Sequence, residues 1–145
     1  MQKTDETAII EGLRKRGFRV TPQRLAICRV VLADRNHPSA SAIHAMVRRT
    51  HPTVSLATVY KTIDVLRDIG LVQELCVPKV QARLDSRMEP HINLICLGCG
   101  SIGDLSDGRL QRGAAELAAG SGLLETVQRI DLHGYCRRCV RARRT

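Results

Sequence analysis

Two Cys-x-x-Cys pairs constrain the fold of this chain more than any other feature of its sequence. Cys96 and Cys99 form the first pair, and Cys136 and Cys139 form the second, with 36 residues between the pairs. Two residues between cysteines let both thiolates reach one tetrahedral ion, and two such pairs complete a four-cysteine site. Zinc suits four soft ligands. A redox pair would need a thioredoxin-like βαβ unit, which is not indicated, whereas an iron–sulfur cluster stays open. We therefore predict a structural Zn²⁺ site.

Composition and charge indicate a folded protein and make an acidic polymer a candidate partner. The 145 residues include 23 Lys and Arg against 14 Asp and Glu, a net charge of +9, and 43% are apolar. No apolar run approaches the roughly 18 residues that cross a bilayer, and the N-terminus lacks a signal peptide. We therefore expect a cytoplasmic protein without membrane contact. Arginine supplies most of the basic excess and suits phosphates and base edges, although genome composition would explain the same excess.

The N-terminal part has the element order of a winged helix-turn-helix domain. Four helices are predicted before residue 70, and the last three have candidate N-caps. These N-caps are Thr21, Ser39 or Ser41, and Ser55. Strands over 71–75 and 80–84 flank a Pro78-Lys79 turn, which is typical of a hairpin. Helices followed by a two-stranded wing predict a DNA-binding domain over residues 1–85, with 55–69 as its recognition helix.

The C-terminal part, residues 86–145, has a mixed pattern. Strands are predicted over 92–96, 101–105 and 125–132, with a helix over 109–119. A module of about 60 residues is too small to bury a generous core alone, so it needs a metal, a partner chain, or both. The predicted fold class is therefore α+β: a winged helix followed by a small αβ dimerisation domain.

The first turns of the predicted recognition helix carry side chains that suit DNA. Hydroxyl groups and a helix N-terminus bind phosphate oxygens, and a tyrosine reaches phosphate or a thymine methyl group. The candidates on this helix are Ser55, Ala57, Thr58, Tyr60 and Lys61. The candidate backbone clamps on the preceding segments are Lys15, Arg19 and Arg24. An ordinary solvated helix face is the alternative interpretation, and the helices, caps and wing favour DNA binding.

Several motifs occur together in a fixed order along the chain. They are Arg19-Val20-Thr21-Pro22-Gln23-Arg24, His37-Pro38-Ser39-Ala40, Ser55-Leu56-Ala57-Thr58-Val59-Tyr60-Lys61-Thr62, Gly70-Leu71-Val72, His91-Ile92-Asn93-Leu94-Ile95-Cys96-Leu97-Gly98-Cys99-Gly100 and Tyr135-Cys136-Arg137-Arg138-Cys139. In these motifs the sequence resembles the ferric uptake regulator (Fur) family of bacterial metal-dependent repressors. The resemblance implies a homodimer on a palindromic double-stranded DNA operator. It also implies a regulatory metal at the hinge between domains. The presence of this metal sets the angle between the two DNA-binding domains of the dimer.

The resemblance also implies ligands for that regulatory metal: His37, Asp85, His91 and Asp104. Two imidazoles and two carboxylates suit Fe²⁺, Mn²⁺ or Zn²⁺. The layout is most similar to the peroxide-sensing (PerR) branch, in which bound Fe²⁺ reacts with peroxide and a ligand histidine is oxidised. That branch has a histidine two residues after His91, where this chain has Asn93. Asn93 lies on the same strand face as His91, but its amide offers only a carbonyl oxygen in place of an imidazole nitrogen. This replacement implies a weaker metal site, an altered metal preference, or a loss of sensing.

From spacing alone the same residues have simpler explanations. His37 before Pro38 could cap a helix, and Asp85 could pair with Arg83 or Arg87.

We predict a repressor of metal-homeostasis or peroxide-stress genes and no enzymatic activity, because no general base or substrate pocket is indicated. A metal hydrolase and a zinc-stapled interaction module that never touches DNA are the alternatives.

Overall fold

The computed structural model describes residues 3–78, 80–122 and 129–143, with side chains from residue 6 onward. The chain divides into two compact units. The first contains Met1–Cys76 with Gln81–Met88, and the second contains Val77–Val80 with Glu89–Thr145. None of the helices in the described ranges has the length and apolar character needed to cross a membrane.

The first unit begins with four helices. They are α1 (Lys3–Lys15), α2 (Pro22–Ala33), α3 (Ala40–Arg48) and α4 (Leu56–Asp68). The predicted N-caps of the last three are confirmed, and Ser39 rather than Ser41 caps α3. Each cap side chain accepts a backbone N–H three residues ahead, which satisfies a donor that the helix itself leaves without a partner. Pro22 follows Thr21 at the first helical position, where its missing N–H costs nothing.

Aliphatic stripes of the four helices meet in one core. The fully buried members include Ile9, Leu13, Ile27, Val31, Ile43, Val47, Val59 and Leu66. Cys28 lies in this core, and burial raises the pKa of its thiol to about 12. Because these side chains fix α4 by its inner face, the outer face of α4 is available to a partner.

A short hairpin completes the first unit, as predicted, but its strands are shorter and shifted. β1 (Gln73–Leu75) pairs antiparallel with β2 (Arg83–Asp85), and Gln73 lies opposite Asp85. The predicted first strand began at Leu71. The Leu71 N–H instead donates to Leu66 O at the end of α4, and Val72 is buried in the helical core. Lys79, half of the predicted turn, lies outside the described residues.

The second unit is a three-stranded sheet with two helices. β3 (Ile92–Cys96) is central, with β4 (Ile102–Leu105) antiparallel on one side and β5 (Ile130–Gly134) parallel on the other. The helices are α5 (Gly108–Gly120) and α6 (Arg137–Ala142). The predicted strand over 125–132 is only partly described, because residues 123–128 lie outside the described ranges, and β5 extends two residues beyond it. The helix α6 was not predicted. Helices, small sheets and a winged N-terminal domain confirm the α+β class.

Candidate metal sites and nucleic-acid interface

The structure brings the four predicted zinc ligands together within the second unit. The Sγ atoms of Cys96, Cys99, Cys136 and Cys139 all lie within 4.8 Å of one another. Cys99 Sγ lies 3.9 Å from Cys136 Sγ. Four sulfurs bound to one tetrahedral zinc at about 2.3 Å would be about 3.8 Å apart, so the cluster fits a structural Zn²⁺ ion.

Strand pairing and two tight turns assemble this cluster. The parallel register of β3 and β5 sets Cys96 beside Gly134, so the second pair begins next to the end of β3. The Cys136 N–H donates to Cys96 Sγ over 3.3 Å, and α6 then carries Cys139 back one turn later. Position 98 requires glycine because Cys139 packs closely against its backbone, and a Cβ at this position would lie 2.8 Å from Cys139 Sγ. Gly100 has a φ of +69°, which glycine adopts without strain.

The electrostatics of the cluster also fit a cation. The Ser101 hydroxyl, 3.2 Å from Cys99 Sγ, lowers the pKa of Cys99 to about 5. The hydrogen bond between Cys139 and Cys136 raises the pKa of Cys139 to about 12. Thiols this close cannot all ionise by themselves, because neighbouring thiolates repel one another. A divalent ion supplies the charge that lets all four act as thiolate ligands.

The second unit also carries a buried histidine beside the asparagine that replaces the expected histidine. His91 and Asn93 are 8% and 2% exposed, and His91 Nε2 lies 3.2 Å from Asn93 Oδ1. His91 Nδ1 lies 2.8 Å from the Glu89 carbonyl oxygen, which only accepts, so Nδ1 carries the proton in the neutral ring. Two lone pairs then face each other across the Nε2–Oδ1 contact. A cation that both atoms coordinate, or a second proton on the ring, makes this contact favourable.

Asp104 and Asp131 flank Asn93 on the neighbouring strands. Asn93 lies opposite the exposed Asp104 of β4 and beside Asp131 of β5. Partial burial raises the pKa of Asp131, but hydrogen bonds from Arg129 and Asn93 outweigh that effect and lower its pKa overall. Asp131 and Arg129 were not recognised from the sequence as part of this group. Only the parallel register of β3 and β5 brings Asp131, which is 38 residues further along the chain, beside Asn93.

The first unit holds the other two proposed ligands of the regulatory metal. His37 Nε2 lies 3.9 Å from Asp85 Oδ1, and the two side chains are 6% and 3% exposed. The φ of His37 is +51°, a left-handed conformation that costs a residue other than glycine about 1–3 kcal/mol. His37 does not cap α3, since Ser39 does, and Asp85 Oδ1 accepts the Arg87 backbone N–H over 2.8 Å. A buried histidine held in a strained backbone conformation beside a carboxylate is typical of a functional site.

The proposed DNA-contacting residues occupy the outer face of α4 and the segments before it. Ser55, Ala57, Tyr60 and Lys61 are exposed and Thr58 is half-buried. Lys15 and Arg19 are exposed as well. Arg24 is half-buried. Its guanidinium donates to Thr62 Oγ1 over 3.3 Å and stacks on Phe18 at 4.4 Å, so it already links α2 to α4.

A winged helix followed by a small sheet with a four-cysteine cluster defines the class of winged-helix proteins with a metal-binding C-terminal domain. Within that class the chain belongs to the ferric uptake regulator family, whose family model matches residues 15–133. The predicted family resemblance is therefore confirmed. Proteins of this family are metal-responsive transcription repressors.

Individual relatives agree with this assignment. The peroxide-responsive repressor PerR of Staphylococcus epidermidis is 34% identical over 130 residues, covering 90% of this chain and 87% of that protein. The crystal structure of the Campylobacter jejuni peroxide stress regulator matches with a TM-score of 0.73 and 30% identity, covering 96% and 100% of the two chains. The ferric uptake regulator from Pseudomonas aeruginosa, solved with manganese, has a TM-score of 0.76 at 22% identity, covers 94% and 99%, and shows the fold alone.

Proposed function

We propose that this protein is a homodimeric repressor that binds a palindromic DNA operator when a regulatory metal occupies ligands from both of its units. The observation that carries the proposal is the division of donors: a buried His37–Asp85 pair in one unit and a buried His91–Asn93 pair in the other. Neither pair alone offers the four or more donors that a transition metal in an N/O site takes. A metal that uses both pairs would favour one arrangement of the units.

DNA binding is supported by the exposed face of α4 and by the charge of the chain. The N-terminal turns of α4 present small polar groups and an exposed tyrosine, Tyr60, while its apolar residues are buried. The net charge of +9 favours a polyanion. Two such helices in a dimer would contact half-sites about one helical turn apart, which requires a palindromic operator.

A homodimer is supported by an exposed apolar surface on the second unit. Leu94, Leu105 and Leu132 of the sheet are 40–48% exposed, and none of the residues of α5, all of them described, is buried. A unit of this size stabilises its fold by covering such a surface with a second copy. The Cys₄ site would hold structural Zn²⁺, leaving the His and Asp donors for the regulatory metal.

The donor chemistry limits the regulatory metal to a small group. Imidazole nitrogens with carboxylate and amide oxygens form an N/O set that suits Fe²⁺ or Mn²⁺, with Zn²⁺ as a further candidate. Bound Fe²⁺ would supply the reactivity with peroxide. The product of the reaction with peroxide would be His37 or His91 carrying one added oxygen atom. The regulated genes would then serve metal homeostasis or the peroxide response.

The proposal is tested by operator binding with and without added metal. DNA selected from a random palindromic library should bind the zinc-loaded protein about 5–150-fold more tightly with Mn²⁺ or Fe²⁺ than after chelation that spares the cysteine site. His37→Ala should abolish this stimulation while about one zinc per chain is retained. His133→Ala, which changes an exposed histidine of β5, is the matched control and should behave as wild type. Equal binding after chelation, or an unchanged metal response in His37→Ala, would contradict the proposal.

Treatment of the Fe²⁺-loaded protein with peroxide then separates the two regulatory inputs. Mass spectrometry of peptides that contain His37 or His91 detects a gain of one oxygen atom. Its presence, with release of DNA, would identify peroxide as the signal. Unmodified peptides and retained DNA would identify metal availability instead.

A further inference from the structure

Asp131 contacts the side chain of Asn93 and is itself held by an arginine. Asn93 Nδ2 donates to Asp131 Oδ1 over 2.9 Å. Arg129 Nε lies 2.9 Å from Asp131 Oδ2, and the Arg129 guanidinium also approaches that oxygen to 2.8 Å. Each carboxylate oxygen therefore already receives a donor. The contact with Asn93 Nδ2 restrains the side chain of that neighbour.

That contact determines which end of the Asn93 amide faces His91. A carboxylate accepts hydrogen bonds and does not donate them, so the NH₂ group of Asn93 must point towards Asp131. The carbonyl oxygen then points the other way, to a position 3.2 Å from His91 Nε2. With the opposite orientation the amide oxygen would face the carboxylate and the NH₂ group would face His91. Such an amide would present hydrogen atoms, not a lone pair, beside the imidazole.

Burial strengthens the hold of Asp131 on this orientation. Asn93 is 2% exposed, so water does not compete for either end of its amide. An unsatisfied buried acceptor costs about 1–3 kcal/mol, and the flipped amide would incur this cost at Asp131, where its oxygen would face the carboxylate oxygen that now accepts from Nδ2. Arg129 holds the carboxylate from its other side, so the order Arg129, Asp131, Asn93, His91 is a directed chain of polar contacts.

We propose that Asp131, held by Arg129, is a positioning residue that turns the Asn93 carbonyl oxygen towards the regulatory metal beside His91 Nε2. The inference rests on the proposed function, because it concerns the ligands of that same metal. It makes Asn93 an oxygen ligand of fixed direction in place of a third imidazole. A carbonyl oxygen is a harder donor than imidazole, so the site would favour Mn²⁺ over Zn²⁺ more than a three-histidine site would.

Direct metal titration of the zinc-loaded full-length protein tests the role. Free Mn²⁺ is measured by electron paramagnetic resonance, which needs neither DNA nor activity. Asp131→Ala should weaken Mn²⁺ binding about 10–100-fold, the usual cost of removing the residue that orients a metal ligand. Asp131→Asn, which keeps an oxygen that accepts from Asn93 Nδ2, should retain most of the affinity. The control is Asp107→Ser, which removes a comparable Asp–Arg pair on the same unit, with Arg109, while keeping a helix N-cap.

A double-mutant cycle distinguishes positioning from a general effect of charge or folding. If Asp131 acts through Asn93, then Asp131→Ala should add no further loss in a chain that already carries Asn93→Ala. A similar additional loss in that background, or wild-type Mn²⁺ binding by Asp131→Ala, would overturn the inference. The zinc content should stay at about one per chain throughout, which shows that the unit is folded.

The same titration separates failure of the inference from failure of the proposed function. A wild-type chain that binds no Mn²⁺, Fe²⁺ or Co²⁺ beyond its zinc would overturn both. A wild-type chain that binds Mn²⁺ tightly, with Asn93→Ala and Asp131→Ala unchanged, would overturn the inference alone. The remaining donors would then be sufficient for the regulatory metal.

Discussion

The two groups of metal-binding residues differ in how the chain assembles them. The cysteine cluster lies wholly within the second unit, where strand register and two turns bring its four thiols within 4.8 Å of one another. The proposed regulatory ligands are divided, with His37 and Asp85 in one unit and His91, Asn93 and Asp104 in the other. One group is therefore complete when a single unit folds, and the other is not.

This difference explains why one metal would be structural and the other regulatory. Binding free energy at a site within one unit adds to the stability of that unit. At a divided site the same free energy distinguishes between arrangements of the two units, which a regulator requires. A structural site should therefore be tight and permanent, whereas a regulatory site should lose its metal within the range of cellular concentrations.

The largest expected effect comes from removing a ligand of the cysteine cluster. Cys96→Ser should lose zinc and, with it, the folded second unit and the dimer, because structural zinc contributes about 10–16 kcal/mol in small domains. Elemental analysis and sedimentation measure both losses. Cys76→Ser, which changes an exposed cysteine outside the cluster, is the control. A stable, zinc-free dimer of Cys96→Ser would show that the cluster is not structural.

A smaller change should loosen the same site without removing a ligand. In Gly98→Ala the new methyl group would lie 2.8 Å from Cys139 Sγ, so the turn or the sulfur must move. Overpacking of this kind costs about 1–3 kcal/mol, so competition with a chelator should reveal zinc binding weakened roughly 5–150-fold. Gly103→Ala is the matched control, since a Cβ there meets nothing within 4 Å. Equal zinc retention in the two variants would show that the turn adapts at no cost.

Local chemistry made part of this structure predictable from the sequence. The helix starts were predictable because Thr21, Ser39 and Ser55 act on backbone groups only three residues away. The cysteine cluster was predictable because the spacing within each pair is set by the size of the ion. In both cases the information lies within a few consecutive residues.

What the sequence did not reveal depends on distant contacts. The first wing strand starts at Gln73 rather than Leu71, because the preceding residues end α4 and enter the helical core. Helix α6 has no apolar periodicity to predict it, and it carries Cys139 to the cluster that Cys136 also joins. Asp131 reaches Asn93 only through the parallel pairing of β3 and β5, which no local pattern specifies.

The smallest expected effect tests the divided site at Asn93, where the family resemblance implies a histidine. Asn93→His replaces the amide oxygen with an imidazole and leaves Asp131 able to accept the other ring N–H, the arrangement in which a carboxylate supports a histidine ligand. We expect Zn²⁺ or Co²⁺ to bind up to about tenfold more tightly and Mn²⁺ to change little, since imidazole suits the softer ions. The Co²⁺ absorption spectrum should shift as a nitrogen donor replaces an oxygen, and this readout is independent of DNA. An unchanged spectrum would show that residue 93 does not contact the metal, and the regulatory site would then consist of the two histidines and their carboxylates alone.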